Sequence, residues 1–125
     1  MGSPVTLVED TLIPPHLIDD ANACWFTRGR ARRGDHRVAL VVDGRVVGFV
    51  TPHETRWGWR LGPIYIDPEA RGRGLLAAVY EHYRDRPLVA FVADDNPASQ
   101  VAHERAGFAR WKRGNGGWFL RRAAG

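Results

Sequence analysis

The sequence predicts an α/β protein with a mixed, largely antiparallel sheet of about six to seven strands and flanking helices. Three observations lead to this fold class: β-rich runs joined by Asp43-Gly44, a helical pattern that starts directly after a glycine-rich turn, and a continuous apolar run at residues 88–93. The 125 residues contain no repeat and no linker. We therefore expect a single domain over residues 1–125.

The first third of the chain predicts a strand, a helix and a loop. Residues 5–8 are β-rich, and apolar residues recur at helical spacing after residues 14–15, which are both proline. Residues 28–37 lose this periodicity, contain five arginines and are interpreted as an exposed loop. Cys24, at the end of the helical pattern, is interpreted as a small buried hydrophobe rather than a reactive thiol.

The middle of the chain predicts three antiparallel strands. Two β-rich runs between residues 38 and 50 flank Asp43-Gly44, which is typical of a type I′ hairpin. A third strand is predicted over residues 56–66, where Trp57 and Trp59 would share one face.

The second half predicts a helix, a strand, a second helix and a hairpin. Apolar residues mark one face of a helix over residues 75–83, and residues 88–93 are typical of a central strand covered on both faces. Asn96 is a natural N-cap, and Gly107 is placed to end the helix that follows it. Two short β-rich runs around residues 114–117 complete an antiparallel pair.

The amino-acid composition and net charge limit the classes of protein and of ligand that are expected. Hydrophobic residues make up 44% and charged residues 26%, as in globular proteins, and the formal net charge of +4 favours acidic ligands, nucleic acid or anionic surfaces. Seventeen of the 18 basic residues are arginine, which suits phosphate, although a coding preference would give the same count. No apolar run is long enough to span a membrane, so we expect a cytoplasmic protein without a membrane partner.

Cysteine, histidine and tryptophan carry weaker signals. One cysteine allows no internal disulfide, and the five histidines show no ligand-like spacing, so no metal site is expected. The tryptophans are interpreted as core packing, with an acceptor pocket or stacking on bases as the alternative. They are Trp25, Trp57, Trp59, Trp111 and Trp118.

The clearest candidate site is the turn at residues 71–74, Arg-Gly-Arg-Gly, between a strand and a helix. Free backbone N–H groups and the helix dipole make such a turn an anion site, and two glycines let the backbone approach a phosphate closely. It is not a Walker loop, because the Gly-Lys-Ser/Thr ending is missing, and it lacks the third glycine of a dinucleotide fingerprint. Taken alone, the segment is also compatible with a plain turn.

A second segment makes the interpretation of this turn more specific. Asn96 begins a predicted helix that contains His103 and is followed by Gly107-Phe108. Together the two segments resemble the GNAT family of N-acetyltransferases, in which Arg/Gln-x-x-Gly-x-Gly/Ala follows a strand. Residues 71–75 match that pattern, whereas Leu76 occupies a position where Gly or Ala is usual. His103 stands where Tyr is common.

The resemblance implies that acetyl-CoA, or another acyl-CoA, is the co-substrate. Backbone groups of Ile64 and Ile66 would contact the acetyl-pantetheine arm, which lies like an extra strand where the fourth and fifth strands separate, and the Ile64 N–H could polarise the thioester. Asn96 would orient the arm, with simple helix capping as the alternative. The pyrophosphate would be held by the backbone amides of Arg71, Gly72, Arg73, Gly74, Leu75 and Leu76.

Direct acetyl transfer requires a neutral acceptor amine and a proton for the departing thiolate. His103 could donate that proton, because an imidazole with an ordinary pKa of about 6.5 exchanges protons near neutrality; a histidine satisfied in the core is the alternative. Relatives often carry a glutamate on one of two strands, but Arg60 and Phe91 occupy those places. Glu54 and Asp94 are therefore the nearest candidate bases, with a water chain or ordinary surface roles as alternatives.

The leading hypothesis is an acetyl-CoA-dependent N-acetyltransferase that acts by direct transfer. One alternative is a catalytically weak CoA-binding or regulatory module of the same family, favoured by the missing strand carboxylate. Another is a nucleic-acid-modifying relative, favoured by the net charge and by residues 28–37, which by resemblance border the acceptor entrance. The sequence leaves open whether the acceptor is a small molecule, a peptide or a nucleobase amine, and whether the chain forms a homodimer.

Overall fold

The structure is a computed structural model that describes residues 4–9, 13–23 and 36–125. The predicted helical positions Cys24 and Trp25, and residues 28–35 of the predicted arginine-rich loop, lie outside this part of the chain. The described elements are β1 (Thr6–Glu9), α1 (Pro15–Ala23), β2 (Val38–Val42), β3 (Arg45–Val50), β4 (His53–Thr55), β5 (Gly58–Arg60), β6 (Tyr65–Ile66), a 3₁₀ turn (Pro68–Ala70), α2 (Leu75–His82), β7 (Leu88–Ala93), α3 (Pro97–Arg105), β8 (Ala109–Gly114) and β9 (Gly117–Arg122).

The chain divides into two compact units. The first comprises Met1–His53 with Leu61–Val79, and the second comprises Glu54–Arg60 with Tyr80–Gly125. One sheet has the strand order β1-β2-β3-β6 and the other has the order β4-β5-β7-β9-β8. The predicted α/β class is confirmed, with nine strands in two sheets and three α-helices in the described residues rather than the six to seven strands expected.

The first sheet contains the predicted hairpin. β2 and β3 are antiparallel, and Asp43 and Gly44 between them have φ of 53° and 74°, both positive as a type I′ turn requires. On its other side β3 pairs with β6, where Gly48 lies opposite Ile66. A Cβ atom on Gly48 would lie 2.3 Å from the backbone oxygen of Tyr65, so this close approach requires glycine. β6 is the last strand of this sheet.

The core of the first unit forms around α1. This helix begins at Pro15, whose fixed φ suits the first helical turn. Leu17 and Ala21, one turn apart on the predicted apolar face, are fully buried. They form one cluster with Ile13, Ala39, Phe49 and Tyr65.

The predicted strand over residues 56–66 is wrong in extent. β4, β5 and β6 occupy this region, and residues 56–57 form a turn. Pro63 lies in the gap before β6, and proline has no N–H to donate to a strand ladder. Trp57 therefore lies in a turn while Trp59 lies in β5, which runs parallel to β7.

In the second sheet, β7 lies between β5 and β9. Leu88 and Val92 are buried, but the predicted cover on both faces is wrong, because Phe91 is 36% exposed. Phe91 lies opposite Phe119 of β9, and Phe119 lies opposite Lys112 of β8. Directly opposed residues of antiparallel strands share a face, so these three side chains line the exposed side of the sheet.

The structure confirms the predicted limits of α3 and the existence of the C-terminal hairpin, whose strands extend to Gly114 and from Gly117. The side chain of Asn96 accepts a hydrogen bond from the Ser99 N–H at 3.2 Å, and Gly107 follows the helix with φ of 96°. β8 and β9 are antiparallel, with a bulge at Trp111.

The described part of the chain contains no helix long and apolar enough to cross a membrane. In the same residues, no group of three or more His, Cys, Asp or Glu side chains is placed to hold a metal ion.

Candidate active site

The tight turn between β6 and α2 has the geometry that the sequence predicts for an anion site. Gly72 and Gly74 have φ of 78° and 73°, a region that favours glycine. Apart from adjacent residues, no atom of the described residues lies within 4 Å of a Cβ position on either glycine, so these residues leave the space beside the backbone open. α2 begins at Leu75, and the amides of its first turn have no acceptor within the helix. The positive end of the helix dipole lies at the same place.

The side chain of Arg71 connects this turn to β6. The Nε atom of Arg71 donates to the backbone oxygen of Ile66 at 2.9 Å, and its guanidinium lies 5.5 Å from the centre of the Tyr65 ring. Arg73 is exposed and Leu75 is buried. The turn is therefore anchored at both ends while its glycines stay open.

β6 holds the residues predicted to contact an extended ligand. Ile64 precedes this strand and Ile66 lies in it, and both side chains are partly buried. Because β6 ends its sheet, its outer edge has no strand partner among the described residues. An edge strand can pair its backbone with an extended chain.

In the second unit, His103 uses both ring nitrogens. Nδ1 lies 2.7 Å from the backbone oxygen of Ser99, to which it donates, and Nε2 lies 2.9 Å from the hydroxyl of Tyr80, which donates to it in the neutral ring. Burial lowers the pKa of His103, and the hydrogen bond to Ser99 acts in the opposite direction. Burial also raises the pKa of Tyr80 to about 12, against the opposing charge of Arg122. Both groups are therefore neutral near pH 7.

Tyr80 is the residue that sequence reasoning missed. Its helical spacing predicts only core packing, and 23 positions separate it from His103. The ring of Phe108 packs against both, with centres 5.1 Å from Tyr80 and 5.2 Å from His103. Arg122 donates to the backbone oxygen of Tyr80 at 2.8 Å. No local pattern in the sequence reports this contact.

The two candidate bases and Asn96 lie in different surroundings. Asp94 accepts two hydrogen bonds from Arg113, one of them at 2.6 Å, and this pairing lowers the pKa of Asp94 and weakens it as a proton acceptor. Glu54 is exposed in β4, and no described residue bonds its carboxylate. Asn96 caps α3 through Oδ1, so capping is one of its roles.

Comparison with known proteins decides the family. The model of the acetyltransferase (GNAT) family matches residues 6–108 of this chain. The chain belongs to this family. The predicted membership of the GNAT family is thereby confirmed, and the protein is an acetyltransferase. Among curated protein sequences, none matches this acetyltransferase.

Solved structures share the fold of this acetyltransferase along nearly its whole length. A GNAT family acetyltransferase from Elizabethkingia anophelis with acetyl-CoA bound has a TM-score of 0.69 and 13% identity, covering 95% of this chain and 97% of its own. The ribosomal-protein-S18-alanine N-acetyltransferase from Escherichia coli has a TM-score of 0.69 and 19% identity, with 97% and 94% covered. A chimera of the spermidine N-acetyltransferase from Vibrio cholerae has a TM-score of 0.71 and 16% identity, with 98% and 96% covered. At these identities the likenesses show the fold alone.

Proposed function

We propose that this acetyltransferase moves the acetyl group of acetyl-CoA directly to an amine of its acceptor. The observation that carries the proposal is the open turn at Gly72 and Gly74, with positive φ at both glycines and the start of α2 immediately after it. Exposed amides at a helix N-terminus favour phosphate groups, and CoA carries a pyrophosphate. The family match and the acetyl-CoA bound to a protein of the same fold support the choice of ligand.

The remainder of the cofactor would extend along β6. The outer edge of β6, beside which no described strand lies, suits the amide-containing pantetheine arm, with the backbone of Ile64 and Ile66 as the contacts. Asn96 is proposed as a further contact on the family pattern alone. The Ile64 N–H would polarise the thioester carbonyl, as hydrogen-bond donors do in acyl transfer.

During transfer, a C–N bond forms at the acetyl carbon, the C–S bond breaks, and the CoA thiolate takes up a proton. We assign the proton to His103, acting through Tyr80. Because His103 is neutral near pH 7, it first takes up a proton from solvent at Nε2. It then passes this proton to the Tyr80 oxygen while the Tyr80 hydroxyl passes its own proton to sulfur, and His103 returns to its neutral form. The raised pKa of Tyr80 fits a relay in which the phenol never holds a negative charge.

The acceptor amine must lose a proton, and we propose Glu54 as the base in preference to Asp94. The ion pair with Arg113 holds Asp94 in its ionised form and makes it a poor acceptor of a proton. Asp94 stays a candidate only if acceptor binding displaces Arg113. The acceptor class is an amine of a small molecule, a peptide or a nucleobase; relatives of the same fold include enzymes named for spermidine and for a ribosomal-protein alanine.

Two observations favour a second candidate function, a CoA-binding or regulatory module. The two strand positions at which relatives often carry a glutamate are occupied by Arg60 and Phe91. In addition, the candidate base Asp94 is hydrogen-bonded to Arg113. Thiol release from acetyl-CoA, measured with and without a panel of amines, separates the two candidates. Release that depends on an amine supports the acetyltransferase reaction, whereas tight CoA binding without amine-dependent release supports the module.

The CoA site is tested by calorimetric titration of CoA into Gly72→Val and Gly74→Val. Each side chain would occupy the open space beside the turn and strain its backbone, so we expect CoA affinity to fall by at least about tenfold, the equivalent of one lost charge-assisted hydrogen bond. Gly116→Val is the matched control, because Gly116 also has a positive φ, 76°, and open surroundings, but lies in the β8–β9 turn. Unchanged CoA affinity in both test variants would remove the basis of the proposed function.

A further inference from the structure

The second unit carries an aromatic and basic surface that the proposed reaction does not use. We call it the Trp57–Trp111 cluster. Trp57 is 50% exposed, and its ring meets the ring of Trp111 edge-on with centres 5.9 Å apart. The cluster consists of Arg56, Trp57, Trp111, Lys112, Phe119 and Arg121.

Cations lie beside the aromatic rings of this cluster. The Nζ atom of Lys112 lies 5.0 Å from the Trp57 ring and 4.8 Å from the Trp111 ring. The guanidinium of Arg56 lies 4.5 Å from the Trp57 ring, and that of Arg121 lies 5.1 Å from the Trp111 ring. Attraction between a cation and an aromatic face holds each charge at the surface of the sheet.

Two irregularities of the second sheet produce this arrangement. Trp57 lies in the turn between β4 and β5 rather than inside a strand. In β8 the register shifts between Arg110 and Lys112, so Trp111 is an extra residue. A bulge re-aims its side chain, and here Trp111 lies under Lys112 and Arg121 on the exposed face that contains Phe119.

Two other stacked cations of the same unit, unlike the cations of the cluster, have carboxylate partners among the described residues. Arg110 and Arg113 stack on Trp118, but they form ion pairs with Glu104 and Asp94 respectively. Among the described residues, no carboxylate forms an ion pair with the cations of the cluster. They are Arg56, Lys112 and Arg121.

We propose that this surface binds single-stranded nucleic acid. Three cations that have no carboxylate partner in the described part of the chain supply charge complementarity to phosphates, and the half-exposed indole of Trp57 supplies a surface on which a base can stack. An acidic peptide would satisfy the charges but would leave the indole without a planar partner. The proposal concerns binding without acetyl-CoA, so it stands or fails independently of the proposed reaction.

The test is the fluorescence anisotropy of a labelled oligothymidylate titrated with the full chain at several salt concentrations. If each cation neutralises one phosphate, the logarithm of the affinity falls with the logarithm of the salt concentration with a slope of about −2, since a single strand contributes roughly 0.7 per phosphate. Lys112→Gln should reduce the magnitude of this slope by about 0.7. Arg110→Gln is the matched control, because it removes one charge from the same strand at a cation that already has a carboxylate partner.

Stacking is tested separately with an abasic strand that has the same phosphates. Wild-type protein should bind the abasic strand at least about fivefold more weakly than oligothymidylate. Trp57→Leu should lose this preference while retaining the salt dependence. Circular dichroism verifies that each variant is folded, and Lys112→Gln, an exposed and nearly isosteric change, keeps the test valid if Trp57→Leu is unstable.

Four results would overturn the proposal. They are no binding at low salt, equal loss of affinity in Lys112→Gln and Arg110→Gln, equal affinity for the abasic strand and oligothymidylate, and tighter binding of polyaspartate than of oligothymidylate at matched charge, which would indicate an acidic protein partner. A dimer in sedimentation that Trp57→Leu dissociates would also contradict it, because a second copy of the chain would then cover the surface.

Discussion

Both nitrogens of His103 have partners inside the protein, and this arrangement determines the pH range in which the residue affects stability. The lowered pKa means that the unfolded chain, where the pKa is about 6.5, binds the proton more readily than the folded one. The contribution of His103 to stability is therefore present above about pH 6.5 and declines as the pH falls toward the folded-state pKa.

We predict that the urea midpoint of the wild-type protein falls more steeply between about pH 7.5 and 5 than that of His103→Phe. The variant removes the proton-linked contribution and retains an aromatic ring beside Phe108. Other titrating groups are common to both proteins, so their effects cancel in the comparison. Parallel pH profiles would contradict the effect of burial on His103.

The proposed relay makes a second prediction at the residue scale. His103→Phe and Tyr80→Phe should each lower kcat by about 10² to 10⁴, the usual contribution of general acid catalysis, while leaving CoA affinity unchanged. Because both residues would move the same proton, the double variant should lose little more than either single variant. His103→Tyr should restore part of the rate. If His103→Phe retains the wild-type rate across about pH 6 to 9, the assignment is wrong and the ring serves packing.

At the scale of elements, the contact between β3 and β6 depends on Gly48. A methyl group there would lie 2.3 Å from the Tyr65 oxygen, and a backbone oxygen cannot move away without weakening the strand pairing. Gly48→Ala should lower the free energy of unfolding by about 1–3 kcal/mol in urea titrations, as overpacking does. Gly62→Ala is the control, since, adjacent residues apart, no atom from the described part of the chain lies within 4 Å of its Cβ position. Equal midpoints for the two variants would show that β6 shifts without cost.

Elements with local signals could be predicted from the sequence. The hairpin at Asp43-Gly44 and the cap at Asn96 each follow from residues a few positions apart, and the structure confirms both. The division of residues 56–66 into separate strands could not be predicted in this way. The segment has a β-rich composition throughout, although the strands are interrupted at the turn after β4 and around Pro63. The proline was a usable signal for the second break, and Gly58, which directly follows the turn at residues 56–57 and has φ of 140°, was a weaker signal for the first.

The candidate site also contains parts that local sequence signals predict and parts that they do not. The glycine turn could be located because its chemistry lies in consecutive residues. The state of Asp94 could not be predicted, because it depends on Arg113, 19 positions later, and the register of the β8–β9 hairpin determines that pairing. The contact of His103 with Tyr80 could not be predicted either, because the two residues are 23 positions apart. Sequence patterns report which residues are available, and tertiary contacts decide their protonation.

For the whole molecule, the choice of arginine over lysine matters more than the net charge of +4. Seventeen of the 18 cationic side chains are guanidinium groups, which stay protonated at any ordinary pH and are poor nucleophiles. If the acceptor is an amine, as proposed, this acetyltransferase carries on its own surface few groups that its reaction could modify.

The exception is Lys112, the chain's only lysine, with its amine among the rings of Trp57, Trp111 and Phe119. Among its side chains, that ε-amine is the one primary amine that an acyl donor, or a chemist's amine-reactive dye, would modify. A label attached there would report on a single defined place in the β8–β9 hairpin.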